Sequence, residues 1–206
     1  MSKDKSIING LVLAGGKSKR MGRDKGSIEW HGKEQQHYMA DLLRPLCNKI
    51  YISHRHGQEA KTNKNYKTLV DTYTGIGPYG AILSAFRFQP DVAWFVVACD
   101  LPLLDTDTLK YLLVNRNAAA MATTFQSPHD GLPEPLITIW EPRSREILLS
   151  FLANGYTCPR KLLIQSDAAH ILQPPDSNAL MNVNTPEDFK KAEEIIIQKH
   201  QLHDAG

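Results

Sequence analysis

Apolar runs and amphipathic stretches alternate along this chain. Residues 7–13, 49–53, 66–70 and 93–98 are short and rich in apolar or β-branched side chains, which is typical of strands in a parallel sheet. Further strands are predicted at 118–125, 136–140 and 170–172, with a short one at 27–30 ahead of a turn at His31 and Gly32. The stretches between the strands have the periodicity of helices.

Helices are predicted where apolar residues recur at intervals of three and four positions. The predicted segments are residues 34–46, a helix from the glycine-rich passage 74–80 to about Phe88, residues 105–116, a helix opened by Pro142 and ending at Asn154-Gly155, a short element at 161–164, and a last helix whose first residue is Pro186. Pro45 is expected in the last turn of the first helix, because proline disrupts helix interiors. Thr185 and Asp188 form a capping-box pattern before the last helix.

This alternation predicts the fold class. Strands joined by helices form a mostly parallel, twisted sheet with helices on both faces, so we expect an α/β fold with three layers, α/β/α. No repeat, low-complexity run or linker interrupts the pattern over the 206 residues. A single domain spanning residues 1–206 is therefore predicted.

Composition narrows the classes of function. A hydrophobic fraction of 42% and a charged fraction of 22% are those of a globular protein. A net charge of +2 gives no reason to expect nucleic acid or an anionic membrane as partner, so any recognition of phosphate must be local. The sequence shows no secretory signal or spanning helix, and its three scattered cysteines do not form a disulfide or zinc pattern. A cytoplasmic location is expected.

The stretch after the first strand carries candidate chemistry. Gly15 and Gly16 follow the strand, and backbone without Cβ atoms can approach a ligand closely with its N–H groups. Lys17, Lys19, Arg20 and Lys25 place positive charge beside these glycines. The combination suits a polyphosphate, and the alternative is an ordinary strand-turn with a solvated basic loop.

Two aspartates follow other predicted strands. Asp71 comes after residues 66–70, and Asp100 comes directly after the apolar strand at 93–98 and Cys99. Ligands of open parallel sheets bind beyond the carboxyl ends of the strands, so Gly15, Asp71 and Asp100 are expected on one rim. A magnesium ion needs only one or two carboxylates besides waters and substrate phosphates. The alternatives are a turn or capping aspartate at 100 and an ordinary loop of turn residues after 71.

The glycine-rich stretch resembles the signature loop of nucleotidyltransferases, and most closely that of the molybdenum cofactor guanylyltransferases. Their pattern, aligned to this chain, is Leu-x-x-Ala-Gly-Gly-x-Ser-x-Arg-Met-Gly-x-Asp-Lys. The matching positions here are Leu11, Ala14, Gly15, Gly16, Ser18, Arg20, Met21, Gly22, Asp24 and Lys25. A P-loop is excluded because Leu11 stands where its first glycine should be, and no Gly-x-Gly-x-x-Gly turn is present.

The resemblance implies a Rossmann-like nucleotidyltransferase fold and a set of site residues. Nucleotide binding is implied for Leu13, Ala14, Gly15, Gly16, Lys25, Asp71 and Asp100, with Mg2+ on Asp100 as the cofactor. Lys25 is assigned to the nucleotide phosphates, with Arg20 as a helper. Ser53 stands where the family often has an asparagine contact, which leaves that contact open.

Acceptor binding is implied for the second half of the chain. The pattern Asn182-x-Asn184-Thr-Pro lies near the pterin in the family, although both asparagines also suit a turn before the last helix. Residues 133–136 match a segment around the same cleft, and no role is assigned to them. Arg160 and Lys161 suit either the phosphate of the acceptor or the solvated surface.

The implied reaction transfers GMP from GTP to molybdenum-molybdopterin and releases pyrophosphate. The implied partners are these two small molecules, with transient contacts to proteins that deliver molybdopterin or mature molybdoenzymes. A molybdopterin cytidylyltransferase and a sugar- or polyol-phosphate nucleotidyltransferase remain alternatives, because the motifs do not reach the base. A non-catalytic nucleotide-binding protein is the alternative of another class.

Overall fold

The strands form one sheet in the computed structural model, which describes residues 7–14, 25–56, 63 and 65–204. In chain order they are β1 (Ile8–Leu13), β2 (Lys49–His54), β3 (Lys67–Val70), β4 (Ala93–Ala98), β5 (Ala122–Gln126), β6 (Pro133–Trp140) and β7 (Ala169–Leu172). Their spatial order is β3-β2-β1-β4-β6-β5-β7. Among the paired strands of this sheet β6 alone runs antiparallel to its neighbours, so the sheet is mostly parallel.

Helices cover both faces of the sheet. They are α1 (Gln35–Leu43), α2 (Pro78–Phe88), α3 (Thr106–Val114), α4 (Ser144–Ala153), α5 (Pro159–Gln165) and α6 (Pro186–Asp204), with short 3-10 turns at Lys25–Ser27 and Ser177–Leu180. Residues of α1 and α3 belong to one apolar core, and residues of α2, α4 and α5 belong to the other. The predicted three-layer α/β/α fold is therefore confirmed.

Alternating side chains of the central strands build these two cores. Phe95 and Val97 point into the core shared with α1, whereas Trp94 and Val96 point into the core shared with α2. Because both faces are covered, every residue of β4 is buried, and this explains why an uninterrupted apolar run marks the strand.

Some predicted boundaries are wrong for local reasons. Residues 27–30 do not form a strand. They form the end of a 3-10 turn and one isolated bridge, because the Ile28 carbonyl accepts from the backbone N–H of Gln35 and the chain turns there into α1. The first helix ends at Leu43, ahead of Pro45. Helix α4 starts at Ser144 and not at Pro142, because Pro142 and Arg143 form a turn in which Ser144 N–H donates to Glu141 O.

Other boundaries agree with the pattern. Strand β4 covers the predicted residues, and the short element at 161–164 lies within α5. The capping box is present, because the Thr185 hydroxyl accepts from Asp188 N at 3.1 Å while the Asp188 carboxylate accepts from Thr185 N at 3.0 Å. No helix in the described part of the chain combines the length and apolar character that crossing a membrane requires.

Candidate nucleotide and metal site

The carboxyl ends of the first four strands meet at one edge of the sheet. Leu13, the last residue of β1, is paired with Ser53 of β2 and with Ala98 of β4. Neighbouring strands lie about 4.8 Å apart, so Ala14 and the residues after Ala98 are neighbours at this edge. The strand order reverses at β1, which has β2 on one side and β4 on the other. Such a switch point is where open α/β sheets bind ligands.

The ends of the signature loop meet beside β1. Gly15, Gly16 and Arg20 lie outside the described residues, and Lys25 is described only as the first residue of a 3-10 turn. Its neighbour Gly26 is buried against Ala14, since a Cβ at position 26 would lie 3.3 Å from the Ala14 carbonyl oxygen. The signature loop therefore begins and ends beside Ala14, because Gly26, the residue after Lys25, packs against it.

Asp71 lies at the same edge, beyond β3. Its backbone N–H donates to His54 O at 2.9 Å, and its Oδ1 accepts from the Ser53 hydroxyl at 2.6 Å. Burial raises the pKa of this carboxyl above its usual 3.8, although the bond from Ser53 and the nearby His54 and Arg55 favour the ionised form. Ser53 is buried, and its hydroxyl donates its hydrogen bond to Asp71.

Ser84 fixes the loop that follows Asp71. Its buried hydroxyl accepts from Thr72 N at 2.8 Å and from Tyr73 N at 3.2 Å, and donates to Gly80 O at 2.7 Å. Gly80 itself lies directly under the loop, since a Cβ there would be only 2.0 Å from the Tyr73 carbonyl oxygen. The glycine-rich passage therefore lets the chain pack tightly behind Asp71.

Asp71→Asn is expected to separate stability from nucleotide binding. The pKa of Asp71 is raised, so the folded protein binds this proton more tightly than the unfolded chain, and ionisation above pH 3.8 works against folding. The neutral amide should therefore melt at the same temperature or higher at pH 7, while GTP protects the variant less than the wild type. Thermal unfolding with and without GTP checks this. A clearly lower melting temperature without ligand would contradict it.

Asp100 follows β4 and is held by the segment that precedes α6. Its backbone carbonyl accepts from Val183 N at 2.9 Å. Val183 is buried, and it separates half-buried Asn182 from exposed Asn184. The two predicted acceptor-side asparagines thus flank a residue that is bonded to Asp100, although they follow Asp100 by 82 and 84 positions in the sequence.

The donor set at Asp100 fits a magnesium ion. In the described part of the chain no cluster of three or more His, Cys, Asp or Glu side chains forms a protein cage for a metal. One carboxylate, with the remaining positions left to water and substrate phosphate, is instead the kind of oxygen-rich set that magnesium accepts. A zinc site would need more nitrogen or sulfur ligands.

The start of β6 completes this edge from the other side. Because β6 is antiparallel to β4, with Ile137 paired to Val97, residues 133–136 begin where β4 ends. Glu134 is buried there and accepts from Arg160 Nη2 at 2.9 Å, while Arg160 Nη1 donates to Asp130 at 2.7 Å. Lys161 instead lies over the Tyr156 ring, 3.9 Å from its centroid.

Several of these contacts could not be read from the sequence. The Ser53–Asp71 bond and the Arg160–Glu134 pair join residues of different elements, and nothing in their spacing indicates a partner. The contacts of His31 with the Pro102 carbonyl and of Gln35 with the Leu101 carbonyl also join distant parts of the chain and were not predicted. Gln35 is fully buried at the start of α1, which its polar side chain does not indicate.

Comparisons with known proteins agree with this geometry. A family model described as MobA-like NTP transferase domain matches residues 10–169. A molybdenum cofactor biosynthesis bifunctional protein from Synechocystis sp. is 34% identical over 183 residues, which cover 88% of this chain and 52% of that protein. The chain therefore spans about half the length of that relative. A molybdenum cofactor guanylyltransferase from Shewanella baltica is 30% identical over 194 residues, covering 90% of this chain and 95% of the relative.

A solved structure supports the fold. The crystal structure of molybdopterin-guanine dinucleotide biosynthesis protein A from Archaeoglobus fulgidus has a TM-score of 0.76 and covers 92% of this chain and 99% of its own. Its sequence is 21% identical, so the likeness concerns the fold. It confirms the nucleotidyltransferase type of α/β fold that was predicted.

Proposed function

The chain belongs to the family of MobA-like NTP transferase domains, and we propose that it is a molybdenum cofactor guanylyltransferase. In this reaction a terminal phosphate oxygen of molybdenum-molybdopterin attacks the α-phosphorus of GTP. The bond from that phosphorus to the oxygen bridging to the β-phosphate breaks, and pyrophosphate leaves. The products are the guanine dinucleotide form of the cofactor and pyrophosphate.

One observation carries the proposal. Ala14, Asp71, Asp100 and the segment 182–184 all lie at one edge of the sheet, joined by strand register and by the bond from Val183 to Asp100. In this proposal the nucleotide lies on the β1, β2 and β3 side of the edge and the acceptor on the β4 and β6 side. A transfer between two substrates requires this adjacency.

The nucleotide side is assigned by the family pattern and the fold. The Gly15 and Gly16 amides and Lys25 bind the triphosphate in this proposal, with Arg20 as a helper. Leu13 and Ala14 line the nucleotide, and Asp71 accepts hydrogen bonds from its base or ribose. A guanine base presents N1–H and N2–H donors, which a carboxylate can accept, so Asp71 is compatible with GTP.

The metal and acceptor assignments complete the site. Asp100 holds Mg2+, which offsets negative charge on the triphosphate when bound. Asn182 and Asn184 contact the acceptor beside it. The attacking phosphate is already an anion, so the protein needs no serine, cysteine or histidine nucleophile, and its residues act by positioning and charge. Arg160, engaged by two carboxylates, and Lys161, over a tyrosine ring, need a rearrangement before either binds an acceptor phosphate.

A single domain over residues 1–206, a cytoplasmic location and transient contacts with molybdopterin-delivering and molybdoenzyme-maturation proteins belong to the same proposal. The transient contacts follow from the reaction, because its acceptor and product are passed between proteins.

The test is incubation of the protein with molybdopterin, magnesium and each of GTP, CTP, ATP and UTP, followed by mass analysis of the product. We expect the guanine dinucleotide to form at least about tenfold faster than any other, a discrimination that unpaired polar groups in a base pocket readily produce. Preferential formation of the cytosine dinucleotide would replace the proposal by a cytidylyltransferase. Transfer to a sugar phosphate in place of molybdopterin would overturn the acceptor assignment, and no transfer at all would leave a nucleotide-binding protein.

A further inference from the structure

The backbone that follows Asp100 is held by side chains from a distant part of the chain. His31 Nε2 lies 2.8 Å from the Pro102 carbonyl oxygen, and Gln35 Nε2 lies 3.3 Å from the Leu101 carbonyl oxygen. With the bond from Val183 N to the Asp100 carbonyl, three consecutive carbonyl groups each receive a donor from another element. The segment 100–102 is therefore fixed from two sides.

The contact with Pro102 requires a hydrogen on Nε2 of the His31 ring. A backbone carbonyl only accepts hydrogen bonds, so Nε2 must carry the hydrogen. The ring is also stacked on Tyr38 of α1, with centroids 3.9 Å apart and an interplanar angle of 18°. The ring therefore has a set orientation that aims Nε2–H at Pro102.

The segment that carries His31 is itself anchored. Trp30 packs on Phe189 of α6, with ring centroids 4.2 Å apart. Gln35 is fully buried, its backbone N–H donates to Ile28 O at 2.9 Å, and its Oε1 has no partner among the described residues. A leucine of similar volume would avoid leaving that oxygen unpaired, so the Gln35 amide donor to Leu101 is the feature that distinguishes glutamine here.

We propose that His31 is a positioning residue for the metal-binding aspartate, with Gln35 assisting it. By holding the Pro102 and Leu101 carbonyls, the two side chains set the path of the backbone that carries the Asp100 carboxylate. The inference rests on the proposed function for its catalytic consequence. Its structural part, the bracing of residues 100–102, is independent of the reaction.

The consequence follows from the precision that transfer requires. A displacement of about 1 Å at a reacting group can cost about a hundredfold in rate. Loss of one of several hydrogen bonds should shift the carboxylate by less, so we expect a fall in kcat of roughly tenfold. GTP contacts on the β1 and β3 side are unaffected, so KM for GTP stays within about twofold while the half-saturating magnesium concentration rises.

The test compares His31→Phe with His31→Gln. Phenylalanine keeps a ring to stack on Tyr38 and lacks the donor, whereas glutamine loses the ring and carries an amide nitrogen that can take the place of Nε2. The first readout is hydrogen exchange of the Val183 amide, which reports on the bond to the Asp100 carbonyl in the protein without ligands. We expect exchange about tenfold faster in His31→Phe, recovery in His31→Gln, and no change at Val96 in the centre of β4.

The second readout is GMP transfer against magnesium concentration in the same proteins. Unchanged Val183 exchange in His31→Phe would overturn the brace, and so would equally fast exchange in both variants, since the ring would then be the feature that matters. Faster exchange with unchanged kcat and magnesium dependence would overturn the positioning role. Absence of transfer in the wild type would refute the proposed function instead, while the exchange measurements still decide the brace.

Discussion

Asp100→Ala is expected to lower GMP transfer by a factor on the order of 10² to 10³, the usual loss when a group that stabilises transition-state charge is removed. The fold should survive, because the backbone carbonyl of residue 100 can accept from Val183 N in either protein. Steady-state rates of pyrophosphate release with GTP, magnesium and molybdopterin measure the effect, and thermal unfolding checks the fold.

Asp107→Ala provides the matched control. Asp107 lies in the first turn of α3, with 92% of its side chain exposed, and its contact is a surface pair with Lys110. Surface pairs of this kind contribute about 0–1 kcal/mol, so rate and stability should both stay near the wild type. An Asp100→Ala enzyme as active as Asp107→Ala would remove Asp100 from the mechanism.

Gly80→Ala is expected to weaken GTP binding about tenfold or more and to lower the melting temperature by roughly 5 °C, as overpacking by about 1–3 kcal/mol implies for a chain of this size. The added Cβ would lie 2.0 Å from the Tyr73 carbonyl oxygen, and backbone cannot be moved as cheaply as a side chain. The displaced residues include Thr72 and Tyr73, which follow Asp71 directly and whose backbone N–H groups donate to the Ser84 hydroxyl. Calorimetric titration with GTP and magnesium measures the affinity.

Gly155→Ala is the control for Gly80→Ala. Gly155 follows α4 with a φ of 80°, and a Cβ there would meet nothing within 4 Å. Alanine should therefore cost about 1 kcal/mol through its backbone conformation and leave GTP affinity unchanged. Equal loss of affinity in both variants would show that the loop behind Asp71 does not shape the nucleotide site.

The sequence predicted those parts of the fold that short-range patterns control. The six residues of β4 are apolar without interruption because both faces of the strand are covered, so its bounds could be read directly. Thr185, Pro186 and Asp188 specify a helix start through local hydrogen bonds. The strand predicted at residues 27–30 is wrong. The apolar residues there contribute to packing, as Trp30 does on Phe189, while the backbone closes a turn.

The placement of the candidate site at one edge of the sheet could be predicted for a topological reason. Asp71 and Asp100 follow strands, and parallel strands place their ends at one edge, so the rim followed from the order of elements. The supporting contacts were not predictable, because they join residues such as His31 and Pro102 that lie 71 positions apart. Arg160 shows the same limit, since its carboxylate partners Asp130 and Glu134 precede it by 30 and 26 positions, in the turn before β6 and in β6 itself.

Paramagnetic line broadening by Mn2+ and GTP tests the central arrangement most directly, because manganese broadens amide signals only near its site. We predict that the amides of Ala14, Asp71, Asp100 and Val183 broaden together when both are added, and that Asp100→Asn abolishes the effect. The amides of Lys49 and Ala93, at the opposite edge of the sheet, should stay sharp. Broadening at Lys49 and Ala93, or at Asp100 without Ala14 and Val183, would contradict a shared nucleotide and metal site at this edge.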